Sequence, residues 1–189
     1  MSEKTIRLVR FVHNVLLVTY AALTCWGWLR CDWAFGKSPP PVDAPVLPAT
    51  LFGALMLAIW GSAAFLRGLL VYQSLNRWLA SFALWPLLIL IIFFLLPAKL
   101  GINPLDLPHI LTTIPIIIGV MLAAAFYTPM IGLFRIVPAL RIRAASTFFD
   151  PVLAVLTGLI YLAVSVICYS LGRRAKDMPA LVVHDDLAQ

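Results

Sequence analysis

Polar and apolar positions along this chain fall into long blocks rather than short alternations. Five apolar runs dominate, at about 11–29, 49–72, 79–98, 110–134 and 151–171. All eight acidic residues (Glu3, Asp32, Asp43, Asp106, Asp150, Asp177, Asp185 and Asp186) lie between the runs or at their edges. A helix of about 20 apolar residues crosses the hydrocarbon of a bilayer. Carboxylates at that depth are costly and, where present, mark ion or proton pathways. The pattern predicts an all-α polytopic integral membrane helical bundle with five transmembrane helices. Its interior lacks the usual equipment for cation coupling. Residues 1–189 read as a single membrane domain, and 172–189 as a short polar tail.

The runs differ in character. The first opens with Arg7, Arg10 and Asn14 on one helical face, His13 beside them, and ends among Trp26, Trp28 and Trp33, an interfacial aromatic belt. It is longer than a signal-peptide core and no small-residue cleavage site follows, so a retained anchor is expected. Ser38-Pro39-Pro40-Pro41, Pro45 and Pro48 make the next connection stiff and extended. In the third run Pro86 is expected to bend the helix, and bulky 87–96 has no polar stripe and is expected to face lipid. Pro115 and Pro129 interrupt the fourth run. Four crossings plus a re-entrant fourth run is therefore the alternative to five. Asp150-Pro151 is a helix start, a cap followed by a first-position proline, and Gly172 is its expected stop.

Small residues recur every fourth position: Ala54, Ala58 and Ser62 in the second run, Gly119 and Ala123 in the fourth, Ala154 and Gly158 in the fifth. Such stripes let helices approach closely, and these residues are the expected helix-packing positions.

Composition agrees with a membrane protein: 62% of residues are hydrophobic and 12% charged, with a mean hydropathy of +0.99. A soluble domain is about half apolar and a quarter charged. The net charge of +6 is placed beside the helix ends, which favours lipid headgroups over nucleic acid as the partner. With five spans, Lys4, Arg7, Arg10, Arg67, Arg77, Arg135, Arg141 and Arg143 share one side, and Arg30, Lys37, Lys99, Arg173, Arg174 and Lys176 the other. The first helix and the 135–143 cluster favour a cytoplasmic N-terminus in the cell inner membrane, while the basic tail argues the opposite. The mixed basic and aliphatic stretch 134–143 is expected along the headgroups, with Arg135, Arg141 and Arg143 as lipid contacts.

Candidate chemistry is sparse. His13 and His109 begin spans on opposite sides in the five-span arrangement and cannot share a haem or metal. Asp106 and His109, three apart, form a weak acid–base pair, Asp106 being first a helix cap. Arg67 is the deepest charge and a weak anion-contact candidate. Cys25, Cys31 and Cys168 make no disulfide framework. Phosphate-loop, metalloprotease, paired-cysteine and nucleophile-elbow motifs are absent. No cofactor, metal ligand or catalytic residue is expected, and an enzyme is disfavoured. The expectation is a non-catalytic subunit or assembly component of a larger membrane complex, contacting lipids and other integral membrane subunits. A transporter or channel for a neutral or anionic solute is second, and an enzyme acting on lipid or quinone third.

Overall fold

The computed structural model describes residues 2–30, 46–70, 83–92, 123, 125–140 and 150–177. Among them every regular element is helical and no strand occurs. The helices are α1 (Glu3–Arg30), α2 (Val46–Leu70), α3 (Trp85–Leu90), α4 (Ala125–Phe134) and α5 (Pro151–Asp177). Within the described residues three helices, α1, α2 and α5, are long and apolar enough to span a membrane. The expected spans at 79–98 and 110–134 are described only in part, so a count of five does not follow.

Helix ends differ from the sequence reading in three places. α1 begins at Glu3, ahead of its apolar run, because the Ser2 hydroxyl accepts the Thr5 N–H (3.2 Å) and Glu3 pairs with Arg7 one turn on. α5 does not stop at Gly172 but continues to Asp177. A glycine marks a helix stop only when nothing else claims it; here it is a packing residue. Pro86, expected two turns into a helix, lies in the first turn of α3, where a missing N–H costs nothing; residues 79–82 lie outside the described residues. Asp150 behaves as its sequence says: its Oδ1 accepts the N–H groups of Val152 (2.7 Å) and Leu153 (3.2 Å) at the start of α5.

Cross-helix contacts fix the directions. α1 and α2 are antiparallel, with Tyr20 beside Trp60 (5.4 Å between ring centroids) and Trp26 beside Phe52 (6.5 Å). α2 and α5 are parallel: Trp60 meets Tyr161 and Ser165, Gly61 meets Val164 and Cys168, and Phe65 meets Gly172. α4 opposes α2, Gly53 lying on Pro129 and Ala49 on Gly132. α3 opposes α5, since Ala83 clusters with Tyr169 late in that helix while Leu87 lies on Gly158 nearer its start.

Backbone-to-backbone contact holds the later turns of α2 and α5 together. A methyl added at Gly172 would overlap the Phe65 carbonyl oxygen, and one at Gly68 the Tyr169 carbonyl oxygen. Large side chains on either strip would separate α2 from α5, which is why glycine occupies both positions. The core then fills with Tyr20, Phe52, Met56, Trp60, Tyr127, Met130, Leu153 and Tyr161.

The expected stripe on α2 faces the other way. Ala54, Ala58 and Ser62 are all exposed, and the inward face carries Gly53, Met56, Trp60, Ala64 and Gly68. Ala123 and Ala154 are fully buried, Gly158 receives Leu87, and Gly119 lies outside the described residues. The lipid-facing reading of 87–96 also needs correction: Leu87 packs inward and Leu90 is fully buried, while Leu88 and Ile92 are exposed. An all-apolar helix carries no polar stripe to reveal which side packs, and glycine-created space decides it instead.

Candidate functional site

The chemistry of the interior begins with Pro129. Inside α4 its ring nitrogen has no hydrogen to give the Ala125 carbonyl one turn back. In lipid a freed carbonyl must find another donor. The Tyr20 hydroxyl of α1 supplies one, at 3.4 Å. Since its single proton is used there, Tyr20 Oη accepts from Tyr161 Oη of α5, at 2.8 Å. Thus one proline defect in α4 is repaired by a two-tyrosine relay from α1 and α5.

Around that relay the rings make a box. Trp60 stands edge-on to Phe126 (5.3 Å) and to Tyr161 (5.6 Å), and Phe126 lies 5.3 Å from Tyr161. Edge-to-face pairs of this kind each add about 0.5–1.5 kcal/mol beyond area burial. The indole Nε1 of Trp60 donates to Ser165 Oγ at 2.8 Å, one turn beyond Tyr161. Thr157, one turn before Tyr161, is fully buried and its hydroxyl has no hydrogen-bond partner. Thr157, Tyr161 and Ser165 therefore form a hydroxyl seam along α5, directed at the aromatic box. Two further hydroxyls bond to backbone: Thr24 donates back to the Tyr20 carbonyl of its own helix (2.9 Å), and Thr50 donates to the Gly132 carbonyl of α4 (3.1 Å).

A second polar contact holds the start of α5. The Asp150 N–H donates to Tyr127 Oη at 3.1 Å, tying the cap of α5 to α4. Arg135 follows α4 directly and is 2% exposed. Its side chain is thus enclosed by protein rather than exposed. Arg141 and Arg143 lie outside the described residues, so the three-arginine lipid contact has no described geometry.

The remaining candidates do not converge. His13 is buried on α1, its Nδ1 3.2 Å from Asn14 Oδ1. Arg67 sits half-exposed in the last turn of α2. Asp106 and His109 lie outside the described residues. Among the described residues no group of His, Cys, Asp or Glu is placed to hold a metal ion. Cys25 and Cys168 are free thiols on different helices.

Sequence reading missed the hydroxyl seam. The signal was present: Thr157, Tyr161 and Ser165 stand at helical spacing in an otherwise apolar run, and Trp60 and Tyr20 are mid-run rather than at interfaces. No protein-family model, curated protein or solved structure matches the chain.

Proposed function

We propose that the chain is a non-catalytic integral membrane subunit or assembly component that offers an outer helix face to a partner helix. The observation that carries this reading is the outward Ala54–Ala58–Ser62 strip of α2. Inside this chain the close approaches of α2 use its other face, through Gly53, Gly61 and Gly68. Apolar association in lipid gains nothing from hydrophobicity and depends on close van der Waals fit, which a small-residue strip supplies. The polar interior supports the same reading, because most of its groups are spent on joining helices: Tyr20 to Tyr161 and Ala125, Trp60 to Ser165, Thr50 to Gly132. The test is copurification of a tagged chain in mild detergent at native expression. Wild type should bring a stoichiometric membrane protein, and Ala58→Leu/Ser62→Leu should lose it while folding normally. A monomer in the wild-type preparation removes this function.

One observation favours a transporter or channel for a neutral or anionic solute instead. The unpartnered Thr157 hydroxyl lies one turn from Tyr161, which reaches the proline defect of α4 through Tyr20. Proline breaks deep in a membrane bundle are common where helices line a solute path. Solute flux into proteoliposomes that is lost in Tyr161→Phe would select this second reading.

A further inference from the structure

Helix directions carry a topology that differs from five crossings. α1 begins at the bundle end where α2 and α5 finish, as the Tyr20–Trp60 and Phe65–Gly172 contacts require. α3 then runs from that end toward the opposite one, against α5. α4 runs in the same sense as α3, because it opposes α2. Two successive described helices with the same sense require the intervening chain to come back.

Depth agrees with these directions. Phe126, near the start of α4, lies at the level of Tyr20, Trp60 and Tyr161. Trp60 is fourteen residues into the 25-residue α2, close to its middle. The described part of α4 therefore runs from mid-depth to the end where α2 and α5 begin.

Charge agrees. Lys4, Arg7 and Arg10 of α1, Arg67 of α2, and Arg173, Arg174 and Lys176 of α5 all gather at one end, each at least partly exposed. The conflict posed by the basic tail in a five-span arrangement disappears, because the tail joins the N-terminal charges. At the other end Arg135 and Asp150 are buried.

We propose that the chain crosses the membrane an even number of times, with the start of α1 and the end of α5 on one side and the end of α4 on the other, and that the basic rim formed by α1, α2 and α5 rests on the anionic headgroups of the cytoplasmic leaflet. This holds whichever function above is correct. Anionic headgroups fit because clustered Lys and Arg beside helix ends are attracted to that leaflet and orient the chain.

The test is thiol accessibility. Cys25, Cys31 and Cys168 are replaced by serine, and single cysteines are introduced as Ser2→Cys, Ala139→Cys or Ala175→Cys, all at exposed positions. A membrane-impermeant maleimide is applied to right-side-out and inside-out vesicles. Ser2→Cys and Ala175→Cys should label only in inside-out vesicles, and Ala139→Cys only in right-side-out ones. Five crossings give another result: Ala139→Cys labels with Ser2→Cys, and Ala175→Cys on the opposite side. Either of those outcomes overturns the proposal, as does labelling of Ser2→Cys and Ala175→Cys only from outside. A C-terminal fluorescent protein that folds only in the cytoplasm gives an independent reading: it should fluoresce, and a dark but stably expressed fusion refutes the topology.

Discussion

Replacing Gly172 by valine tests whether backbone contact between α2 and α5 organises the bundle. The first added carbon falls inside contact distance of the Phe65 carbonyl oxygen, 3.0 Å from its carbon and 3.2 Å from Gly68 Cα. All three obstacles are backbone, so no rotamer change relieves them; the helices must part by about 1 Å. Gaps of that size forfeit about a quarter to a half of each facing dispersion contact. Overpacked cores lose about 1–3 kcal/mol, and the absence of a flexible neighbour puts Gly172→Val at about 3 kcal/mol. Gly68→Val should cost a similar amount, since its methyl meets the Tyr169 carbonyl. The informative variant is the double one. Once the helices have parted for the first side chain, the second enters space already opened, so the pair should cost clearly less than the two singles combined. Reversible unfolding in mixed micelles, followed by tryptophan emission, reads all three, with Ala163→Val at an exposed position of α5 as a control expected within about 0.5 kcal/mol of wild type. A strictly additive double variant, or a Gly172→Val protein as stable as the control, refutes the close-contact account.

Three further outcomes follow from the polar seam and the cap. Tyr20→Phe should destabilise by about 1 kcal/mol in the same assay, and by less in a Pro129→Ala background, where the Ala125 carbonyl regains a helical donor; equal costs in the two backgrounds sink the repair mechanism. Thr157→Val, which keeps shape and removes a buried unpartnered hydroxyl, should raise stability by about 1 kcal/mol, and a loss instead shows that the hydroxyl has a partner in the working protein. Asp150→Ala should cost about 1 kcal/mol through the uncapped start of α5 while Asp150→Asn costs less, a difference that thermal unfolding by circular dichroism can read.

Much of the architecture was legible where the physics is local. Long apolar blocks announced membrane helices because hydrocarbon tolerates no unpaired backbone, and Asp150-Pro151 announced a helix start because capping involves only neighbouring residues. Phase and direction were not legible. α2 is apolar nearly all round, so its sequence did not show that Gly53, Gly61 and Gly68 make the close contacts within this chain while Ala54, Ala58 and Ser62 face outward. Gly172 looked like a terminator because the partner that needs its missing side chain, Phe65, is more than a hundred residues distant. Arg135 looked superficial because basic residues after an apolar run are usually at headgroups, whereas here its side chain is enclosed by protein. The hydroxyl seam escaped for a similar reason: its hydrogen-bond partners come from three helices, and only folding brings Tyr20, Ala125 and Tyr161 together.

That bond between Tyr20 and Tyr161 spans 141 positions of sequence, and it has a consequence for biogenesis. A membrane chain is threaded into lipid from its first helix onward. Until α5 is inserted, the Trp60 indole lacks its Ser165 acceptor and the Tyr20 hydroxyl lacks Tyr161 behind it. α5 thus acts as a clasp on the earlier helices, and chains truncated before Pro151 should be cleared faster than the full chain in a pulse-chase experiment.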